Sequence, residues 1–168
     1  IVDLGTGSGC IGLTLAKIIP SAQVTLVDIS PAALVVAQKN AQNLKVADRV
    51  TIIESDAVEF LKGTDQRFEV IVSNPPYIEP NDKLVEENVK KFEPHLALFA
   101  EKGTQLLQTW SQAAVTQLKT PGCLLMEMGF GQGSKMQDWL NKMQIFSRVE
   151  IVKDLSGNDR VILGRKDN

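Results

Sequence analysis

The sequence predicts an α/β fold, a doubly wound and mostly parallel seven-stranded sheet closed by an antiparallel C-terminal hairpin. Three observations carry that prediction. Short β-branched runs alternate with helix-length segments along the chain. A glycine-rich turn, Gly5-Thr6-Gly7-Ser8-Gly9, joins the first run to the first helical segment. A further apolar run, Phe68 to Val72, stops at Ser73-Asn74-Pro75-Pro76-Tyr77, where a buried parallel strand would open its carboxyl end.

Taken in order, Ile1 to Leu4 reads as the first strand, and the glycine turn leads into a helix from Cys10 to Ile19 that Pro20 ends. Gln23 to Val27 is a second strand closing with Asp28. Ser30 as N-cap and Pro31 at the first helical position start a helix running to Asn43. Val50 to Glu54 is a third strand, followed by Ser55-Asp56 and a short helix through Leu61. After the fourth strand, residues 78–102 carry Pro80 and Pro94 as breakers and read as a long loop over the strand edge. Gly103 to Lys119 is a helix, Cys123 to Met128 a fifth strand and Gln132 to Lys142 a helix. Ser147 to Val152 and Arg160 to Gly164 are two strands joined by Ser156-Gly157-Asn158-Asp159, which is hairpin-turn chemistry. The closing hairpin is expected to add an antiparallel edge strand.

A chain of 168 residues with 43% hydrophobic content can bury one core, so residues 1–168 are expected to form one domain. Net charge is −2 with scattered cations, which argues against a nucleic-acid groove, since phosphate binding usually needs a basic face. Cys10 and Cys123 lack metal-ligand spacing and read as free core thiols of a reducing compartment. A single histidine, His95, leaves no zinc set and no histidine-based triad, so no metal is expected. No apolar run is long enough for a membrane span, and no signal-peptide pattern opens the chain. Ile1-Val2-Asp3-Leu4 begins inside a strand with no preceding cap, the pattern of a fragment cut from a larger protein.

The corner at Asn74 holds the chemistry. Two consecutive prolines remove two N–H donors, fix φ twice and push Asn74 towards extended backbone. The Asn74 side-chain oxygen and the Pro75 carbonyl, if they converge, can take both hydrogens of one NH₂ group, while Tyr77 offers a flat face to a planar substrate. Acceptors that hold those hydrogens as the nitrogen pyramidalises stabilise the transition state more than the ground state. A plain proline turn, or a proline ligand for a partner domain, is the blander alternative.

Ligands of such sheets bind where the first strand turns into its helix. Gly5, Gly7 and Gly9, with Thr6 and Ser8 between them, let a ligand lie against the main chain. The spacing alone does not identify the ligand, because Gly7-Ser8-Gly9-Cys10-Ile11-Gly12 also satisfies the dinucleotide pattern. Asp28 is placed to accept from both ribose hydroxyls; its alternative is a charge at a helix N-terminus. Asp56, followed by Ala57, offers a second acceptor suited to an adenine amino group, or is simply an N-cap. Asp3, a charge where burial is expected, either receives hydrogen bonds from the glycine turn or faces the cationic part of a cofactor, and a satisfied structural carboxylate is an equal alternative. Trp110 and Trp139 read as packing residues, Lys90-Lys91 as a solvated face, and His95 as a solvated loop residue.

Asp3-Leu4-Gly5-Thr6-Gly7-Ser8-Gly9 resembles motif I of class I S-adenosylmethionine-dependent methyltransferases, and Asn74-Pro75-Pro76-Tyr77 resembles their amino-methyltransferase motif. The wider context, Ile71 to Ile78 followed by Phe92-Glu93-Pro94 and Ala97-Leu98, and the ending Asp154-Leu155-Ser156-Gly157-Asn158-Asp159-Arg160-Val161, resemble the HemK/PrmC family. That family methylates a glutamine side-chain amide in the Gly-Gly-Gln loop of peptide chain release factors. The resemblance covers essentially the whole chain, with two departures: Ala100 to Leu106 replaces the family's usual glycine pair and Asp-Gly-Leu, and the helical N-terminal docking domain is absent. It implies that Gly5 to Gly9 line the methionine and ribose side of S-adenosylmethionine, Asp28 binds ribose, Asp56-Ala57 border adenine, and Asn74 to Tyr77 hold the substrate amide, with Asn74 also among the cofactor-binding residues. Glu93 is the loop residue it singles out. A cytoplasmic enzyme with a protein partner, no membrane and no direct nucleic-acid substrate is the expectation. Methylation of adenine N6 in RNA or DNA, where a flipped base would stack on Tyr77, is the second hypothesis; a non-catalytic cofactor-binding scaffold is the third.

Overall fold

A computed structural model describes residues 1–76 and 104–167 of the chain. Tyr77, Glu93, His95, Lys90-Lys91 and the whole of the expected 78–102 loop lie outside the described residues. Seven strands form one sheet: β1 (Val2–Leu4), β2 (Val24–Asp28), β3 (Val50–Glu54), β4 (Phe68–Ser73), β5 (Leu118–Glu127), β6 (Arg148–Lys153) and β7 (Asp159–Lys166). Their order is β3-β2-β1-β4-β5-β7-β6, with β1 to β5 parallel. The helices are α1 (Cys10–Ile18), α2 (Pro31–Asn43), α3 (Ala57–Gly63), α4 (Gln105–Gln117) and α5 (Gly133–Lys142).

The helices divide between the two faces of the sheet. Leu13 and Ala16 of α1 and Ala37 and Ala41 of α2 close over Val24 and Leu26 of β2. On the opposite face Leu61 of α3, Leu107, Trp110 and Ala114 of α4, and Met136 and Leu140 of α5 pack on Leu4, Ile71, Leu124, Met126 and Ile162. The expected doubly wound class is therefore the observed one.

Local chemistry explains the elements. Ser30 accepts from the Ala33 N–H and Pro31 follows it, so α2 starts as expected. Asp56 accepts from the Val58 and Glu59 N–H groups and starts α3. A 3₁₀ turn over Ala47–Arg49, absent from the sequence reading, leads into β3.

Three expectations need correction. The fifth strand begins at Leu118 rather than Cys123, and α4 ends at Gln117 rather than Lys119. Thr120-Pro121-Gly122 separates the expected helix from the expected strand, yet Leu118 pairs with Phe68 and Cys123 with Val70, so the proline and glycine sit inside a register irregularity of a continuing strand. The antiparallel strand is not at the edge: β7 lies between β5 and β6, because the α5 crossover carries the chain one strand position further out and the hairpin returns to fill the gap. Neither cysteine is a core thiol, since Cys10 at the start of α1 is exposed and Cys123 is half-buried, though both are free.

Candidate active site

Register brings the sequence candidates to one edge. Leu4 is level with Val27 on β2 and with Ser73 on β4, so the next residues, Gly5, Asp28 and Asn74, leave the carboxyl end of three adjacent strands together. The Ser73 hydroxyl donates to the Leu4 carbonyl at 2.8 Å and ties the Asn74 corner to the start of the glycine turn. Asn74 is exposed, Pro75 is buried and Pro76 is half-buried. Met126 is level with Ser73, which puts Glu127 of β5 beside Asn74 at the same edge.

The glycine turn is held from four directions. The Gly5 and Thr6 N–H groups both donate to the Val27 carbonyl, at 2.9 and 3.0 Å. Asn40 of α2 donates to the Ser8 carbonyl at 2.9 Å. The Gly7 N–H donates to Asp28 Oδ2 at 2.7 Å, and the indole of Trp110 fills the space beside Gly5. Gly7 adopts φ +55°, and nothing lies within 4 Å of where its Cβ would be, so the main chain presents an open approach there.

Three carboxylates serve this turn in different ways. Asp3 is buried, and its Oδ2 accepts from the Thr6 hydroxyl at 2.7 Å and the Gly12 N–H at 2.9 Å, bracing the turn against the first helical turn of α1. Burial pushes its carboxyl up from 3.8 to about 6; those two hydrogen bonds oppose the rise and the Asp28 charge adds to it. Asp28, half-buried, accepts from Gly7 through Oδ2 and from the Ser30 N–H through Oδ1 at 2.9 Å. Each oxygen carries two lone-pair sites, so among the described residues one acceptor position remains on each, the pair a ribose diol needs. Asp56 is exposed and uses Oδ1 as the cap of α3, while Oδ2 takes no hydrogen bond among the described residues; Ala57 beside it is buried. The Ser55 N–H donates to the Asp28 carbonyl at 3.0 Å, so Asp56 joins the same edge. An open glycine backbone, a carboxylate with two unused acceptor sites and a second acceptor further along the edge fit a nucleoside-containing cofactor.

Asp3 makes a pH prediction. Its folded-state pKa is raised, so the stability it contributes is fully present below pH 4 and is lost as pH rises through 6, a change of up to about 3 kcal/mol. Urea unfolding at pH 5 and pH 7 is expected to show less of this pH-dependent loss in Asp3→Asn than in the wild type. Equal pH dependence in the two proteins would refute the assignment.

Several positions escaped sequence reasoning. Ser73, Gly12 and Asn40 act through contacts remote in sequence, although Gly12, where a Cβ would strike Leu26 and Asp3, was visible as the third glycine of the G-x-G-x-x-G spacing. Trp110 and Trp139 are packing residues, as expected: Trp110 is buried beside Gly5, and the Trp139 indole N–H donates to the buried Ser111 hydroxyl at 3.2 Å. No cluster that could hold a metal ion occurs among the described residues.

Comparison with known proteins now bears on this edge. Residues 1–154 match the methyltransferase small domain. The chain belongs to that family. Among relatives of this methyltransferase small domain, the release factor glutamine methyltransferase of Koribacter versatilis is 41% identical over 99% of this chain and 58% of its own length. The protein of the same name from Flavobacterium psychrophilum is 41% identical over 96% of this chain and 56% of its own. The chain thus spans less than two thirds of those relatives. A solved rRNA methylase from Streptococcus thermophilus shares the fold, with a TM-score of 0.67 over 99% of this chain and 87% of that one at 16% identity.

Proposed function

We propose that residues 1–168 are the catalytic domain of an S-adenosylmethionine-dependent methyltransferase that methylates the side-chain amide nitrogen of a glutamine in the Gly-Gly-Gln loop of peptide chain release factors. The observation that carries the reading is the register that sets Asn74-Pro75-Pro76 beside the glycine turn, locked by the Ser73 to Leu4 hydrogen bond. The names of relatives at 41% identity support the same substrate class. Such a reaction belongs in the cytoplasm. No helix among the described residues is long and apolar enough to cross a membrane.

S-adenosylmethionine supplies an electrophilic methyl group on a cationic sulfur. Gly5, Thr6, Gly7, Ser8 and Gly9 would present main chain to its methionine and ribose portions, and the unused Asp28 acceptor sites would take the ribose hydroxyls. Asp56 and Ala57 would border the adenine, and Asp3 braces the turn through Thr6 and Gly12. Asn74 Oδ1 and the Pro75 carbonyl would accept the two hydrogens of the substrate amide, and Pro75 and Pro76 keep backbone donors out of the corner; Tyr77, outside the described residues, is assigned to the substrate plane by the motif alone. Amide nitrogen is a weak nucleophile because its lone pair is delocalised. Two acceptors that grip its hydrogens favour the pyramidal form and aim the lone pair, so positioning and electrostatics supply most of the acceleration. Transfer would be direct, the nitrogen–carbon bond forming as the sulfur–methyl bond breaks and the neutral thioether leaves, with no covalent enzyme intermediate, and the proton would pass to water once the nitrogen is cationic.

The test uses the full-length protein with methyl-labelled S-adenosylmethionine and either a release factor or total RNA. Label is expected in the release factor and is expected to vanish when the loop glutamine is replaced. Label in RNA alone would replace this reading with adenine methylation.

A further inference from the structure

Resting on that reading, we propose that Phe130 and Leu155 are apolar anchors for the polypeptide substrate, set on two rigid turns along the sheet edge from Asn74. β6 runs in the same direction as β5, since each is antiparallel to β7, so the turns after β5 and β6 emerge at the carboxyl edge that carries Asn74. Phe130 is 71% exposed and Leu155 is fully exposed.

Both turns are pre-ordered by hydrogen bonds. In the first, the Gly129 N–H donates to Gln132 Oε1 at 2.8 Å and the Gln132 N–H to the Gly129 carbonyl at 3.1 Å, with Gly131 at φ +81° closing the bend. In the second, Asp154 Oδ1 accepts from the Ser156 and Asn158 N–H groups, both at 2.9 Å, and the Asp154 and Asn158 main chains bond at 2.8 Å. The Met128 N–H donates to the Arg160 carbonyl at 2.9 Å and joins the two turns. An apolar side chain on a rigid turn loses little conformational entropy when a partner covers it, which favours binding.

The charges here select the kind of partner. Lys153 is paired with Asp159 at 2.7 Å and Arg160 with Asp154 at 3.2 Å, so the cations of the hairpin turn are neutralised within it. Phosphate backbones bind through cations that release counterions. Two apolar side chains among neutralised charges suit a protein surface: Phe130 follows β5, the strand next to β4, and Leu155 follows β6, three strand positions out from β4, so a polypeptide lying along this edge would meet both on its way to the Asn74 corner.

The experiment compares wild type, Phe130→Ser, Leu155→Ser and the double variant, all full length, with intact release factor and with a short peptide containing Gly-Gly-Gln. KM for the release factor is expected to rise about fivefold or more in each single variant. Turnover number, cofactor affinity and kcat/KM for the short peptide are expected to stay within about twofold, and exposed positions leave the unfolding midpoint nearly unchanged. An unmoved KM for the release factor overturns the inference while the function stands. A lowered unfolding midpoint with unmoved KM also overturns it, since the patch is then covered by the protein's own chain. Equal losses on peptide and release factor overturn it by pointing to local distortion of the corner. Wild-type protein that labels RNA and no protein overturns the function and the polypeptide occupant together.

Discussion

Replacing Asn74 by alanine is expected to lower turnover by about a thousandfold while cofactor affinity changes by less than about twofold. Asn74 leaves β4 at the level where Gly5 leaves β1, but the backbone contacts that shape the cofactor side run elsewhere: the glycine turn is fixed by Val27, Asn40 and Asp28. Ser73 still anchors the corner to the Leu4 carbonyl, so the variant keeps its backbone and loses one acceptor. Removing a single preorganised partner of a developing charge costs about a hundredfold to a thousandfold. Asn74→Asp is the informative companion, because it keeps an acceptor oxygen but places a negative charge beside the substrate amide. Single-turnover kinetics with the release factor, together with equilibrium binding of S-adenosylmethionine, separate the two effects. Full activity in Asn74→Ala would remove the acceptor mechanism; an equal loss of cofactor binding would make Asn74 a cofactor residue instead.

The parts of this edge that the sequence exposed are those with local chemistry. Ser30-Pro31 fixes where α2 begins, an uninterrupted β-branched run fixes β3 at Val50–Glu54, and positions such as Gly7 are needed where the chain turns left-handed. Pairing is not local, and that is where the reading fell short. Leu118 joins the sheet because Phe68 lies alongside it, although Pro121 and Gly122 interrupt the apolar run that starts at Cys123. β7 takes an inner place because the chain has already passed outward through α5, a decision made by topology. The same distinction divides the site. Asp28 and Asn74 were readable as strand-terminal polar residues, whereas the Ser73 hydroxyl reaches a carbonyl 69 positions away and Asn40 reaches across 32, which no spacing rule connects. Asp56 kept both of its readings, since one oxygen caps α3 and the other takes no hydrogen bond among the described residues.

Asp28→Ala is expected to weaken S-adenosylmethionine binding by about a hundredfold and to leave the kcat of cofactor-saturated enzyme within about threefold. The carboxylate has two tasks. It accepts the Gly7 N–H at 2.7 Å and the Ser30 N–H at 2.9 Å, holding the glycine turn and the approach to α2 in register. Its two remaining acceptor sites are the ones assigned to the ribose hydroxyls. Hydrogen bonds to an ionised group contribute about 1.5–3 kcal/mol each, so losing the ribose pair accounts for about a hundredfold even at the lower figure. Asp28→Asn separates the tasks, because the amide oxygen still accepts one backbone N–H while the charge is gone and the NH₂ group meets the other donor unfavourably. Its affinity loss is expected to approach that of alanine, whereas Asp28→Glu, which keeps the charge but displaces it by one methylene, is expected to retain part of the binding. Isothermal titration with S-adenosylmethionine reads the affinities, and urea unfolding reports how much of each loss is a loosened turn. Affinity unchanged in Asp28→Ala would show that the ribose is held elsewhere and that Asp28 serves only the backbone of the turn.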